Sequence, residues 1–442
     1  MIKKTDPEVY KLIRSEEKRQ KDVLELIPSE NYASKAVREA VGSIFMNKYS
    51  EGLPNKRYYQ GNEYADALET LAIERAKAIF GVPHANVQPY SGSPANAAVF
   101  FALLNANDTL MGMSLPFGGH LTHGHPTITL SGKYFNTKQY TVEKDGYINY
   151  DEIEKLALEV KPKLIISGAT AYPQIIDFKR FAEIAQKVGA YHLADISHIA
   201  GLVVAGAHPS PVPYADVVMF TTHKTMRGPR GAILLVTDKG LSKDPDLGNK
   251  IDKAVFPGLQ GGPHNNTTAG IAVCLKEATS PEFTLYAQQI VKNASVLANS
   301  LKELGFELIS NGTSNHLILI DLSNKNIDGW CAAWALEYAG IVLNRNSVPY
   351  DKNSAFYPSG IRLGTPAITT RGMTENEMPL IAKWMNEAIN IAIELLPKDF
   401  KNADQKVSKE ARSQYKSKLQ KNSKLKNIRK EIKEFCANFP LP

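Results

Sequence analysis

A chain of 442 residues is too long for one typical domain and long enough to bury a large core. With 43% apolar and 22% charged residues it reads as a globular protein, which sets aside disordered and fibrous classes. The net charge of +7 is uneven: residues 398–442 sum to +8, against −1 for the residues before them. A basic tail could meet nucleic acid or another anionic surface. Leu425, Ile428, Ile432 and Phe435 nevertheless recur at helical spacing, and the preferred reading is the buried stripe of a solvated helix.

Cys274, Cys331 and Cys436 lie far apart and form no Cys-x-x-Cys pair, which argues against a zinc site or a disulfide framework. The N-terminal stretch MIKKTDPEVYKLIRSEEKRQ is charged and lacks the apolar centre of a signal peptide. No run approaches the roughly 18 to 20 apolar residues that a membrane span needs. A cytoplasmic protein without a membrane partner is the expectation.

In chain order, residues 1–30 predict a charged helical arm ending in the turn chemistry of Pro28, Ser29 and Asn31. ADALETLAIERAKAIFG follows as an amphipathic helix. Ser91-Gly92-Ser93 precedes PANAAVFFALL, a helix with Pro94 in its first turn. The segments KLIISGAT, FKRFAEIAQKVG, YHLADISH, ADVVMFTTHKT and RGAILLVT then alternate short apolar runs with helical ones. Such alternation predicts βαβ units and a largely parallel sheet buried on both faces. Near residue 280 the pattern changes to a long helix, the strand HLILIDL, a helix through WCAAWALEYAG, and IVLNRN. The expected organisation is therefore an arm (1–30), a large α/β domain (31–279) and a smaller C-terminal α/β domain with a basic helical tail (280–442).

In open α/β sheets ligands sit beyond the carboxyl ends of the strands. Thr170–Tyr172, Asp195–His198 and Thr221–Lys224 fall at three such ends. Lys224 follows an apolar strand, where desolvation and the nearby His223, Arg227 and Arg230 could activate it as an amine nucleophile. On position alone, an ordinary strand-end lysine is the better account. Asp195 closes a strand too apolar to hold a carboxylate without a partner. The ring nitrogen of pyridoxal phosphate would supply one, and an arginine ion pair competes. Ser91–Ser93 at a helix N-terminus suits a phosphate, although most such serines are plain caps. His120, His123 and His125 cluster in GGHLTHGH with no acidic or Cys ligand beside them, so a ring stacked on an aromatic cofactor is preferred to a metal site. Tyr49, Glu51, Tyr58 and Tyr59 combine a carboxylate with aromatic neighbours, which suits proton handling. Arg362 could clamp a carboxylate.

LIPSENYAS, NKYSEGLPNKRYYQGNEY, YSGSPAN, GGHLTHG, LADISHIAGL, TTHKTMRGPRG, VFPGLQGGPH and SGIRLGTPAIT occur in this order. Together they resemble the serine hydroxymethyltransferase family from about residue 20 onward. The resemblance implies an aspartate-aminotransferase-like fold of type I. It implies a homodimer, or a pair of dimers, with shared active sites. The implied reaction interconverts L-serine plus tetrahydrofolate with glycine plus 5,10-methylenetetrahydrofolate. A folate-independent pyridoxal-phosphate aldolase of β-hydroxy amino acids is the alternative.

By the same resemblance, Lys224 carries the cofactor as a Schiff base with His223 beside it. Asp195 pairs with the ring nitrogen, His120 stacks on the ring, and His198 reaches its hydroxyl side. Ser91, Gly92, Ser93 and Thr221 complete the cofactor contacts, with Gly261 and Gly262 entering from a partner subunit. Ser29 and Arg362 bind the amino acid, Tyr49 and Glu51 stand at the reacting side chain with Glu51 as proton shuttle, and Tyr59 lines the site. Tyr58, Leu115, Gly119, Leu121, Asn346, Ser354, Ala355 and Phe356 resemble the folate contacts. Pro28, Thr170 and Ala355 depart from the usual residues.

Overall fold

The computed structural model describes residues 1–397, 400 and 408–442, so part of the basic tail (398, 399 and 401–407) lies outside the described residues. Two compact units result: residues 33–288, and residues 1–32 together with 289–442. The N-terminal arm thus groups with the C-terminal residues. The division falls inside the helix Pro281–Glu303, a few residues after the change of pattern near 280.

The unit 33–288 is built on seven strands: β1 His84–Asn86, β2 Thr109–Met113, β3 Asn136–Tyr140, β4 Leu164–Ser167, β5 Tyr191–Asp195, β6 Val217–Thr221 and β7 Ala232–Val236. Their order across the sheet is β1-β7-β6-β5-β4-β2-β3, and β7 alone runs antiparallel to its neighbours. Every residue of β4, β6 and β7 is buried, as expected when helices cover both faces of a sheet. The helices α1 Glu63–Phe80, α2 Gly92–Leu103, α3 Phe178–Val188 and α4 Asn265–Glu277 belong to this unit. α3 shows why the chain folds this way locally. Asp177 accepts from the Arg180 N–H at its start, Gly189 ends it at φ +72°, and Phe178, Phe181, Ile184 and Ala185 line its buried face.

The other unit holds a four-stranded antiparallel sheet of β8 Glu307–Leu308, β9 Leu317–Asp321, β10 Asn344–Asn346 and β11 Gly360–Gly364, ordered β8-β9-β11-β10. Helices α5 Gly329–Ala339, α6 Met378–Glu394, α7 Lys409–Lys421 and α8 Ser423–Cys436 share one apolar core with it. In α8 the tail stripe is inside: Leu425, Ile428 and Ile432 are buried and Phe435 packs edge-on against Trp384. Arg412 of α7 is spent internally, paired with Asp328 at 2.9 Å and seated over the Tyr357 ring. Arg371, also buried, donates to the carbonyls of Gln20, Lys21, Val23, Cys436 and Phe439. Each hydrogen bond to a charged group contributes about 1.5–3 kcal/mol, so this one side chain is a major tie between two distant stretches of sequence.

Candidate active site

The carboxyl ends of β4, β5 and β6 surround a cavity of about 260 Å³. It is lined by Ser91, Gly92, Ser93, Asn96, His120, His123, Thr170, Asp195, Ser197, His198, Thr221, His223, Lys224 and Arg230, among others. The nine residues expected around the cofactor from Ser91 to Lys224 therefore meet in one place. Arg227 does not line it; its guanidinium packs over the rings of Tyr286 and Phe283.

Asp195, 8% exposed, sits at the last position of β5, opposite Met219 in the ladder. Its partners are not arginines. Oδ2 accepts from His123 Nε2 at 2.9 Å and Asn96 Nδ2 at 3.0 Å, and Oδ1 accepts from the Ser197 hydroxyl at 2.6 Å and the Ser197 N–H at 3.1 Å. Burial opposes the charge, but the hydrogen bond and charge of His123 and the Ser197 hydroxyl prevail and hold the carboxyl well below its usual range. The His120 backbone N–H donates to His123 Nδ1 at 3.3 Å, which leaves His123 Nε2 as the nitrogen facing Asp195. Sequence reasoning named His123 only as a member of the histidine cluster. Its role as the partner of Asp195 depends on a loop folding across strand ends, for which the spacing carried no signal. Among the described residues, no group of three or more His, Cys, Asp or Glu side chains is placed to hold a metal ion.

Ser91 heads the twelve-residue α2 without capping it through its side chain, and Ser91, Gly92 and Ser93 at this helix start all line the cavity. Gly92 is required here: a Cβ would stand 2.8 Å from Thr221 Cγ2. The Thr221 hydroxyl and His223 Nδ1 are buried without a hydrogen-bond partner, a state that calls for a ligand or water. Burial, then the charges of Lys224 and Arg230, push His223 down to about 3, so it is neutral near pH 7.

A second cluster in the same unit does not line this cavity. Glu51 accepts from the Tyr49 hydroxyl on Oε1 and the Tyr59 hydroxyl on Oε2, both at 3.1 Å, and the two rings meet edge to face. These bonds to Glu51 raise both phenol pKa values. A Cβ on Gly261 would stand 3.1 Å from Glu51 Oε1, and one on Gly262 3.3 Å from the Tyr49 ring. Tyr49, Tyr58 and Tyr59 are exposed. Leu115, Gly119 and Leu121 flank His120, the two leucines exposed and Gly119 buried against Met113.

Ser29, Asn346, Ser354, Ala355, Phe356 and Arg362 belong to the other unit. Arg362 is in β11, where its Nε donates to Asn344 Oδ1 at 3.1 Å, and burial pushes it down to about 10, leaving it charged at neutral pH.

A mostly parallel seven-stranded sheet is on the page, with a lysine, a buried carboxylate and a helix N-terminus converging at its strand ends. That arrangement is the one found in pyridoxal-phosphate enzymes of fold type I, and the residues present fit the group. Its phosphate suits the α2 N-terminus and the partnerless Thr221 hydroxyl, its ring nitrogen suits Asp195, and its aldehyde suits Lys224.

Residues 2–385 match the family profile described as serine hydroxymethyltransferase. The chain is 58% identical over 384 residues to a serine hydroxymethyltransferase of Acidothermus cellulolyticus, covering 87% of this chain and 88% of that one. It is 56% identical over 389 residues to that of Desulfotalea psychrophila (88% and 90% covered) and 51% identical over 442 residues to that of Sorangium cellulosum (100% and 96%). The chain belongs to the serine hydroxymethyltransferase family.

Proposed function

We infer that the chain reversibly transfers the hydroxymethyl group of L-serine to tetrahydrofolate, giving glycine and 5,10-methylenetetrahydrofolate, with pyridoxal phosphate as cofactor. The observation that carries this reading is the single cavity in which Lys224, Asp195 and the Ser91–Ser93 turn meet, in a chain that matches the family over most of its length. When bound, the cofactor supplies an electron sink for the charge that develops as the Cα–Cβ bond of serine breaks.

The protein's own groups do the rest. Lys224 Nζ would hold the cofactor through its aldehyde carbon. Asp195, kept anionic by His123, Asn96 and Ser197, holds a proton on the ring nitrogen. His120 would pack on the cofactor's ring and His198 would meet its hydroxyl side, with neutral His223 beside Lys224. Ser29 and Arg362 bind the amino-acid substrate, with Arg362 on its carboxylate. Glu51 moves a proton at the reacting side chain, with Tyr49 and Tyr59 orienting its two oxygens. Leu115, Gly119, Leu121, Tyr58, Asn346 and Ser354–Phe356 serve folate.

A homodimer or a pair of dimers is part of the proposal. Tyr49, Glu51, Tyr59, Gly261 and Gly262 cluster apart from the cavity of their own unit, with the three tyrosines from 49 to 59 exposed. That is the form expected of a surface completing a partner's site. A cytoplasmic location is supported by three buried free cysteines, and no described helix is long and apolar enough to cross a membrane.

The test is serine-to-glycine conversion with and without tetrahydrofolate. Strong acceleration by folate is expected. Equal rates, with cleavage of allo-threonine as fast as of serine, would establish the folate-independent aldolase instead.

A further inference from the structure

Glu51 lies in a segment with little structure of its own. Gly52–Leu53 and Lys56–Arg57 form a hairpin of two residues a side, too short to be stable alone. One guanidinium makes the most contacts to the segment's backbone around Glu51. Arg57, whose side chain is 3% exposed, donates from Nη1 to the Ser50 carbonyl at 2.8 Å and the Gly52 carbonyl at 2.6 Å, the two carbonyls flanking Glu51. The Glu51 carbonyl itself accepts from the Tyr58 N–H at 3.1 Å.

The other faces of the guanidinium are anchored on α1: Nε on Asp66 at 2.7 Å and Nη2 on Glu69 at 2.6 Å. Gln88, 3% exposed, closes the network by donating to both Glu69 Oε1 and the Gly52 carbonyl. Two helix carboxylates thus grip a cation that in turn grips the backbone on both sides of Glu51. Lysine could not do this, because the arrangement uses the planar fork of donors in fixed directions.

We propose that Arg57 is the positioning residue for Glu51, setting the carboxylate in register through the backbone while touching neither substrate nor cofactor. The proposal rests on the reading of Glu51 as the group that moves a proton. Reacting groups tolerate little displacement: an error of about 1 Å can cost on the order of 10²-fold in rate.

The holoenzyme tests it with Glu51→Gln, Arg57→Lys, the pair Arg57→Lys/Glu51→Gln, and the pair Arg57→Met/Glu69→Met. The last removes both charges of the most deeply buried pair at once and leaves only Asp66, whose side chain is 19% exposed and can be solvated. Arg57→Lys and the methionine pair are expected to keep the visible cofactor band and the KM for serine, and to lose kcat on the order of 10²-fold. They should also displace the limb of the kcat–pH profile that Glu51→Gln abolishes. In the Glu51→Gln background, Arg57→Lys should cost nothing further, because its effect passes through Glu51. A methionine pair that folds with wild-type kcat overturns the proposal, as does an equal loss from Arg57→Lys in both backgrounds. Glu51→Gln with full activity overturns the reading of Glu51 and this proposal together. A slow Glu51→Gln beside a fast methionine pair overturns only the role of Arg57.

Discussion

The cavity around Lys224 and the cluster around Glu51 lie in one unit of the chain, yet they are held in different ways. The cavity hangs on strand ends. β5 and β6 are ladder partners, so Asp195 stands opposite Met219, two residues before Thr221, wherever the sheet forms, and the side chains around them add hydrogen bonds to a backbone already fixed. Glu51 has no such support, and its backbone depends on a buried ion network reaching from Arg57 to α1 and Gln88. Strand geometry is collective and resists single substitutions. A charge network depends on every member, since each removed partner leaves another buried group unsatisfied.

This contrast can be broken at several levels. Lys224→Ala should have the largest effect, abolishing both the visible cofactor band and serine conversion while the fold, read by circular dichroism, stays intact. Next comes His123→Phe, which strips Asp195 of its charge-assisted bond. A loss of about 1.5–3 kcal/mol, roughly ten- to a hundred-fold, is expected in kcat or cofactor affinity. If the sheet alone fixes Asp195, that variant will be close to wild type and the contrast sharpens further. Tyr59→Phe removes one of two hydroxyls on Glu51 and should lower kcat only several-fold, in line with about 0.5–1.5 kcal/mol for an ordinary hydrogen bond.

A separate effect, on stability rather than rate, is the dependence on pH. Burial lowers His192 and His223 to about 3 and His208 to about 4, from an ordinary value of 6.5. Between those limits the unfolded chain binds more protons than the folded one, so stability is full above about pH 6.5 and falls as pH drops toward 4 and 3. A melting temperature that declines from about pH 6.5, ahead of carboxylate titration, is the expected curve. All three histidines belong to residues 33–288, so His208→Gln should flatten the decline, whereas Tyr59→Phe should leave it unchanged.

The same contrast explains what could be read from the sequence. Apolar runs ending in Asp195 and Thr221 announced strand ends, and strand ends announced a ligand site, so the cavity was legible from local pattern. The arrangement of Glu51 was not, because its supports lie 12 residues away at Glu69 from Arg57 and 36 away at Gln88 from Gly52, with no periodic signal joining them. His123 was hidden for a similar reason. The exact position of the division inside Pro281–Glu303 left no trace beyond the change of pattern near 280, since a continuous helix has one hydrophobic pattern throughout.

Arg371 has a consequence for biosynthesis. The carbonyls it binds come from residues 20–23 and from Cys436 and Phe439, so the earliest-made stretch of the chain is completed by one of the latest. On the ribosome, residues 33–288 can assemble their sheet as they emerge, while the N-terminal segment must wait for more than four hundred residues of translation before its partner arrives. The charged, uncovered character of the helix Pro7–Asp22, which buries none of its residues, suits a segment that has to remain dispersed in water through that delay.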